Sequence, residues 1–200
     1  MSYTKPTQQR AIETENRFLN ALNECLTERS FEETSIDEIA NRAGLHRGAF
    51  LKRFGSKRQA LLVLFARYCD IASALIQEIQ TNLHRYPTIE AVCYDMSIQL
   101  EKIQRADFGA NRAMHEDFLN KLETNALTKR IFSETVDLMR HIQKRFLADK
   151  PFTDKGAFAA TQLLVTINYN YVLRAMPGLP MDDTLRHHLI SQCMCSALEY

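Results

Sequence analysis

The residues best suited to chemistry in this sequence are basic, and they are crowded into one stretch. Residues 39–69 contain seven basic side chains and no aspartate or glutamate. The seven are Arg42, Arg47, Lys52, Arg53, Lys57, Arg58 and Arg67. Guanidinium and ammonium groups collected on one surface bind phosphates, so the stretch favours contact with a nucleic-acid backbone. The alternative is a solvated basic face on an ordinary helical hairpin, and charge alone does not distinguish the two.

Two short helices and a tight turn are predicted to position these charges. Ser35 can cap a helix over about residues 35–42, and Glu38 completes the pattern of a capping box. Gly44 stands where that helix must end with a positive φ. A second helix follows over about residues 46–53. Because two helices joined by a short turn with glycine form a helix-turn-helix, the combined pattern favours DNA binding over a plain hairpin.

The start of the second helix is the predicted point of contact with bases. In a helix-turn-helix, the N-terminal residues of this helix meet base edges in the major groove. His46, Arg47, Gly48 and Ala49 are therefore candidates for base contact. Arg47 could fork onto a guanine or hold a phosphate, and we favour the phosphate. Gly48 costs a helix about 1 kcal/mol relative to alanine, a cost that close approach to the DNA backbone would explain.

Further phosphate contacts are expected where helices begin. Thr34 and Lys57 lie at two helix N-termini, where hydroxyl, amine and backbone N–H groups can hold phosphates. The full set predicted to contact DNA is Thr34, Arg42, His46, Arg47, Gly48, Ala49, Lys52, Arg53 and Lys57.

The stretch resembles the DNA-binding domain of the TetR family of bacterial transcriptional regulators (the TetR/AcrR type). The family pattern is matched in order by Phe31, Thr34, Ile39, Ala40, Ala43, Gly44, Leu45, Gly48, Phe54, Ser56 and Lys57. The match covers about residues 10–62, and the remainder of the chain matches only in length and helical character. Many members have a Tyr where Leu51 stands. Because Lys52 and Arg53 would replace its hydroxyl by charge, we predict a steep salt dependence of DNA binding.

The pattern of the remaining sequence is helical throughout, which predicts an all-α fold of about nine helices. An N-terminal three-helix domain with the helix-turn-helix is expected over residues 1–56, and a helical effector-binding and dimerisation domain over residues 57–200. A long fourth helix over about residues 57–83 would connect them. The later helices are predicted over about residues 89–106, 111–120, 125–148 and 154–176, with a ninth beginning at Asp182 or Asp183. Phe108 and Gly109 are expected to break the chain between the fifth and sixth helices.

The last two helices have more apolar surface than one small domain can use. The eighth is apolar nearly all round, which predicts burial on every side. The resemblance implies a homodimer that pairs through helices 8 and 9 and binds a pseudo-palindromic double-stranded DNA operator. The alternative is that helix 8 is simply the core of a monomer.

The resemblance also implies a small-molecule effector pocket among helices 5 to 8. Residues that could line it are Tyr94, Met96, Phe108, Met114, His115, Phe118, Phe132, Met139, Phe158, Gln162, Tyr169 and Asn170. The alternative is that this Met and aromatic set is ordinary core. Polar residues such as Gln162, Asn168 and Asn170 on so apolar a helix indicate buried amides that need partners. Because buried acids look nearly absent, the expected effector is mostly apolar and either uncharged or weakly anionic.

The sequence carries none of the patterns expected of an enzyme. It has no glycine-rich phosphate loop, serine elbow or paired Cys-x-x-Cys, and none of its six histidines is followed by a second ligand at i+3 or i+4. We therefore predict no catalysis, no cofactor and no metal site. Five cysteines, an odd number, favour a reducing compartment, and we saw neither a membrane-spanning run nor a signal peptide. These features predict a cytoplasmic protein.

These patterns predict a sequence-specific DNA-binding transcriptional regulator that acts as a repressor and is released from its operator by a small molecule. One alternative is a regulator controlled by a protein partner, or one without a ligand. Another is an architectural protein that binds DNA without sequence preference. In the preferred mechanism, effector binding tilts the fourth helix and moves the recognition helices off the half-site spacing.

Overall fold

The computed structural model describes residues 3–115, 122–149, 153–173 and 182–199, and within them the fold is all-α. The helices are α1 (Gln9–Glu28), α2 (Ile36–Arg42), α3 (Arg47–Phe54), α4 (Lys57–Asn82), α5 (Ile89–Ala106), α6 (Phe108–Ala113), α7 (Leu122–Phe146), α8 (Asp154–Leu173) and α9 (Asp183–Leu198), with a short 3-10 helix over Leu83–Arg85 after α4. The all-α prediction is confirmed, and α5 has the predicted bounds. The predicted ends of the sixth and eighth helices, at 116–120 and 174–176, lie outside the described residues.

By its internal contacts the chain divides into two compact units. The first is Met1–Tyr68 with Asp107–Asn125, and the second is Cys69–Ala106 with Ala126–Tyr200. This division differs from the expected boundary after residue 56, because the first turns of α4 and all of α6 belong to the first unit. The chain therefore passes from one unit to the other three times.

An aromatic cluster forms the core of the first unit. The ring centroids of Phe18 and Phe50 are 5.3 Å apart in an edge-to-face arrangement, and those of Phe50 and Phe54 are 5.0 Å apart. The predicted apolar stripe of α1 is buried as expected: Phe18, Leu19, Ala21, Leu22, Cys25 and Leu26. These contacts fix α3 against α1 and leave its opposite face at the surface.

The glycine expected to end a helix instead lies inside α6. A Cβ on Gly109 would come within 2.1 Å of the Asn23 carbonyl oxygen and 2.8 Å of the Thr27 nitrogen, both in the backbone of α1. Gly109 therefore permits close packing of α6 on α1, and the break predicted at Phe108 and Gly109 lies instead at Asp107. Arg112 strengthens the same contact by donating hydrogen bonds to the carbonyls of Leu26 and Arg29.

The second unit has its own apolar core, drawn from α4, α5, α7, α8 and α9. In the single chain, α8 is not buried on every side as predicted. Its buried residues are Gly156, Ala157, Ala160, Thr161, Leu164, Asn168 and Val172, which leaves Phe158 50% exposed. Much of the apolar surface of α8 therefore has no cover from the described part of its own chain.

One helix departs from the expectation that nothing in the chain could span a membrane. By length and composition alone, Lys57–Arg85 is long and apolar enough to do so. Half of its most apolar window is buried inside the protein, as in the core helix of a soluble protein, so the evidence for a membrane span is weak.

Candidate nucleic-acid interface

The turn between α2 and α3 has the geometry predicted for a helix-turn-helix. The Ser35 hydroxyl accepts the Glu38 backbone N–H at 3.1 Å and caps α2. Gly44 ends that helix with φ of 64°, a left-handed conformation that glycine adopts without steric cost. Arg17 of α1 donates to the carbonyls of Ala43 and Gly44 at 2.6 and 3.1 Å. This tie from α1, which sequence reasoning missed, satisfies carbonyl groups at the end of α2.

A histidine caps the helix that begins after this turn. His46 has the extended backbone of an N-cap residue, and its Nδ1 accepts the Ala49 backbone N–H at 3.1 Å. His46, Arg47 and Gly48 are exposed, and Ala49 is half-buried. The candidates for base contact therefore lie together at the surface where α3 begins.

Arginines of the basic stretch are paired with carboxylates from elsewhere in the chain. Arg42 makes a bidentate pair with Glu28 at 2.6 and 2.7 Å. Arg47 lies 2.8 Å from Asp37 of α2. The hydrogen bonds from Arg42 lower the pKa of the Glu28 carboxyl. The prediction of a surface of one sign was therefore wrong, because acids outside the stretch fold back onto it.

Arg53 is held in a partly buried cluster with two other polar residues. Its Nε donates to the Glu15 carboxylate at 2.8 Å, and the Tyr3 hydroxyl donates to the same carboxylate at 3.0 Å. Burial and the adjacent carboxylate raise the pKa of Tyr3 to about 12. Of the predicted basic contacts, Lys52 is exposed and has no acidic partner in the described part of the chain.

Two predicted phosphate contacts have other roles in the structure. Thr34 is only 1% exposed, and its hydroxyl donates to the Ser30 carbonyl at 2.9 Å. The Lys57 ammonium donates to the carbonyls of Phe31 and Thr34 at 2.5 and 2.7 Å and lies over the Phe31 ring. Lys57 thus fastens the turn before α2 to the start of α4. Both side chains therefore have partners within the chain, and their phosphate contacts stay a prediction.

The predicted effector-pocket residues are distributed over both compact units. Phe108, Met114 and His115 belong to the first unit, whereas the others described lie in the second; Phe118 lies outside the described residues. Those in the second unit are Tyr94, Met96, Phe132, Met139, Phe158, Gln162, Tyr169 and Asn170. Met96 and Met139 are buried core residues, at 4% and 0% exposure. Phe132 and Phe158 meet at 5.1 Å between ring centroids.

Two open depressions mark the surface of the second unit. One, of about 360 Å³, is lined by Thr128, Lys129, Phe132, Ser133, Val136 and Arg140. The other, of about 490 Å³, is lined by residues of α8 and α9: Ala159, Leu163, Gln192, Cys193, Ser196 and Ala197. The second depression lies on the helices predicted to pair in a dimer.

A buried polar cluster joins α5, α8 and α9, and sequence reasoning missed most of it. Glu101, 6% exposed, pairs with buried Arg186 and lies 3.1 Å from Nε2 of His187. The Ser97 hydroxyl lies 2.7 Å from Nδ1 of His187, and its carbonyl accepts from the Asn168 amide at 3.1 Å. Burial lowers the pKa of His187. The expectation that buried acids are nearly absent was therefore wrong, which removes the argument for the effector's charge.

The described residues include no group of three or more His, Cys, Asp or Glu side chains arranged to hold a metal ion. All five cysteines are unpaired thiols, of which Cys193 is exposed.

Comparison with known proteins shows that the helix-turn-helix is similar to that of one family. Residues 18–63 match the family model for bacterial regulatory proteins of the tetR family. No curated protein matches the chain in sequence.

Solved structures share the whole fold. A crystal structure described as a TetR-family transcriptional regulator, from Mesorhizobium loti, is similar with a TM-score of 0.73 at 15% identity, covering 96% of this chain and 98% of that one. A TetR family regulator from Marinobacter aquaeolei has a TM-score of 0.70 at 18% identity, with the same coverage. The regulator FadR from Bacillus subtilis, in complex with stearoyl-CoA, has a TM-score of 0.69 at 14% identity, covering 91% and 98%. At these identities the likeness shows a common fold.

Proposed function

We propose that this chain, whose residues 18–63 carry the DNA-binding domain of the tetR family of bacterial regulatory proteins, is a cytoplasmic transcriptional repressor. It binds a pseudo-palindromic operator as a homodimer and leaves it when a small molecule binds the second unit. The single observation that carries the proposal is the exposed start of α3, held at the surface by the turn at Gly44.

The DNA contacts come from the exposed side of the helix-turn-helix. His46, Gly48 and Ala49 approach base edges, and Lys52 holds a phosphate. Arg42 and Arg47 reach DNA by exchanging Glu28 and Asp37 for phosphate oxygens, which accept the same charge-assisted hydrogen bonds. Arg53 follows the same principle only if Glu15 releases it. Thr34 and Lys57 act by holding the turn before α2 in place.

The dimer is proposed to form through α8 and α9. Phe158, Leu185 and Leu189 are 50%, 52% and 40% exposed, although large apolar side chains usually lie inside. These exposed side chains and the open depression between the helices give α8 and α9 apolar surface of the kind that marks protein interfaces, although Phe158 also contacts Phe132 of α7. A second copy of the chain would cover it and bring a second α3 to the operator.

Effector control is proposed to act through α4 and α6. The first turns of α4 belong to the first unit and the rest of α4 to the second. All of α6 belongs to the first unit, whereas α5 before it belongs to the second. Because Gly109 and Arg112 fix α6 to α1, a shift of the flanking helices α5 and α7 would strain the DNA-binding unit. The stearoyl-CoA bound to the similar FadR structure supports an effector with a large apolar part.

Selection from a library of random DNA duplexes at about 150 mM salt, near physiological ionic strength, tests the DNA-binding proposal. We expect a two-fold symmetric motif for the wild type. The variants Arg47→Ala and Lys52→Ala should bind the selected duplex more weakly, while Lys102→Ala, an exposed lysine of α5, should bind normally. Retention without a motif would contradict sequence-specific regulation and favour an architectural DNA binder.

Effector control is tested separately with the selected duplex. Release of that duplex is measured against a panel of apolar acids, their acyl-CoA thioesters and uncharged aromatics. A compound that releases DNA and raises the melting temperature would support the proposal, because a ligand that binds the folded state stabilises it. If no small molecule does so but a protein partner does, the alternative of partner control is correct.

A further inference from the structure

The start of α3 selects one tautomer of the neutral His46 imidazole. Its Nδ1 accepts the Ala49 backbone N–H at 3.1 Å. A backbone amide only donates, so Nδ1 carries no hydrogen and the ring hydrogen of the neutral imidazole is on Nε2. The capping contact thus leaves His46 with a single outward group, an N–H donor.

Gly48 leaves the space in which this ring lies. A Cβ on Gly48 would be 3.2 Å from Nδ1 of His46, closer than side chains normally approach, and 3.5 Å from Cε1, an ordinary contact distance. From the sequence, Gly48 was expected to allow close approach to the DNA backbone. In the structure its neighbour is the His46 ring of the same protein. The missing side chain of Gly48 therefore helps to fix the position of the His46 imidazole at the start of α3.

The donor is exposed at the position where a recognition helix meets bases. His46 is an exposed residue, and Nε2 has no partner among the residues that the structure describes. In the major groove the hydrogen-bond acceptors are purine N7, guanine O6 and thymine O4, whereas the adenine N6 and cytosine N4 amino groups donate. A fixed N–H donor therefore distinguishes base pairs by the acceptors they present.

Resting on the proposed DNA-binding function, we propose that His46 is a specificity-determining residue whose Nε2–H recognises one base-edge acceptor in each half-site. The same side chain caps α3 through Nδ1. A phosphate contact is less favoured, because Arg47 and Lys52 are the cations at this surface and His46 lies at the N-terminal end that faces bases.

His46→Ser separates the two roles. Serine is a preferred N-cap residue, so its hydroxyl can accept the Ala49 N–H while the ring donor is lost. Wild type and variant are each selected on random duplexes, and their affinities are then compared on the wild-type motif with each half-site position changed in turn. We expect an unchanged melting temperature. At one position per half-site the wild-type preference, about two- to tenfold for a single hydrogen bond, should disappear, with other positions unaltered.

His46→Ala provides the comparison, because it removes both the cap and the donor and should also lower the melting temperature. Identical base preferences for wild type and His46→Ser would overturn the assignment. A uniform loss of affinity on every sequence would also overturn it and indicate a phosphate contact. A wild type that selects no motif would be recognised before any variant is compared, and it would overturn the proposed function together with this inference.

Discussion

Gly109 of α6 and Asn23 of α1 pack so closely that a Cβ at Gly109 would come within 2.1 Å of the Asn23 carbonyl oxygen. The side chain of Asn23 accepts the Ala110 backbone N–H at 3.0 Å in the same contact. Backbone therefore lies against backbone, with no flexible side chain between them. This contact keeps α6 in the first unit, although α5 before it belongs to the second.

Gly109→Ala should destabilise the protein, since the added methyl group meets backbone atoms that cannot rotate away. We expect a loss of about 1–3 kcal/mol in the free energy of unfolding, the usual cost of overpacking. Denaturant unfolding measures it. Ser133→Ala, at an exposed position of α7, should stay within about 0.5 kcal/mol of the wild type. An unchanged Gly109→Ala would contradict the close contact of α6 with α1.

The effect of Gly48→Ala should depend on the residue at position 46. With serine there, the alanine methyl meets no ring, and the higher helix propensity should add about 1 kcal/mol to the free energy of unfolding. With His46 present, the methyl at 3.2 Å from Nδ1 must displace the imidazole, so the gain should be smaller or reversed. Unfolding of the two single variants and the double variant measures the difference. Equal gains in both backgrounds would show that the ring and Gly48 are not coupled.

Asp37→Asn should strengthen DNA binding by releasing Arg47 from its ion pair. Exposed pairs contribute about 0.2–1 kcal/mol, so affinity should rise about 1.4- to fivefold. One extra uncompensated charge at the DNA should also steepen the slope of log K against log salt by about 0.9. Binding titrations at several salt concentrations test both effects. Asp149→Asn, an exposed acid of the other unit, is the control, and equal slopes for the two variants would argue against Arg47 as a phosphate contact.

Stability should fall on acidification because His187 is buried. Burial lowers its pKa below the ordinary value of 6.5. Below pH 6.5 the unfolded chain therefore binds a proton that the folded protein does not. The free energy of unfolding falls as the pH is lowered from 6.5, and this fall ends at the lowered folded-state pKa. His187→Gln should remove this component from a plot of unfolding free energy against pH. The exposed neighbour provides a control: His188→Gln should keep the wild-type dependence. If His187→Gln also keeps the wild-type dependence of the unfolding free energy on pH, another group causes that dependence.

Local patterns predicted the helix-turn-helix well because caps and turns are set by neighbours in sequence. Ser35 and Gly44 act as expected, and the apolar stripe of α1 is buried. Of the amides expected to be buried on α8, Asn168 is buried and donates to the carbonyl of Ser97 on another helix, whereas Gln162 is exposed and Asn170 is half-buried. Pattern alone does not identify such a partner.

The misjudged features depend on contacts between residues far apart in sequence. Gly109 looks like a helix breaker until α1 is seen against it. The charge of residues 39–69 looked one-signed because Glu15 and Glu28 stand outside the window, and folding brings them to Arg53 and Arg42. A sequence window records the composition of a surface only when the surface is contiguous in the chain.

Arg42 and Arg47 are each paired with a carboxylate of the same chain, which acts as a counterion. A nucleic acid must displace Glu28 and Asp37 before it can pair with Arg42 and Arg47. Non-specific duplex DNA would therefore bind more weakly than the number of basic residues suggests. On the proposed function, weaker retention at each of the genome's roughly 10⁶–10⁹ competing sites would shorten the search for the operator. On the proposed function, these ion pairs therefore contribute to discrimination between operator and other DNA without contacting a base.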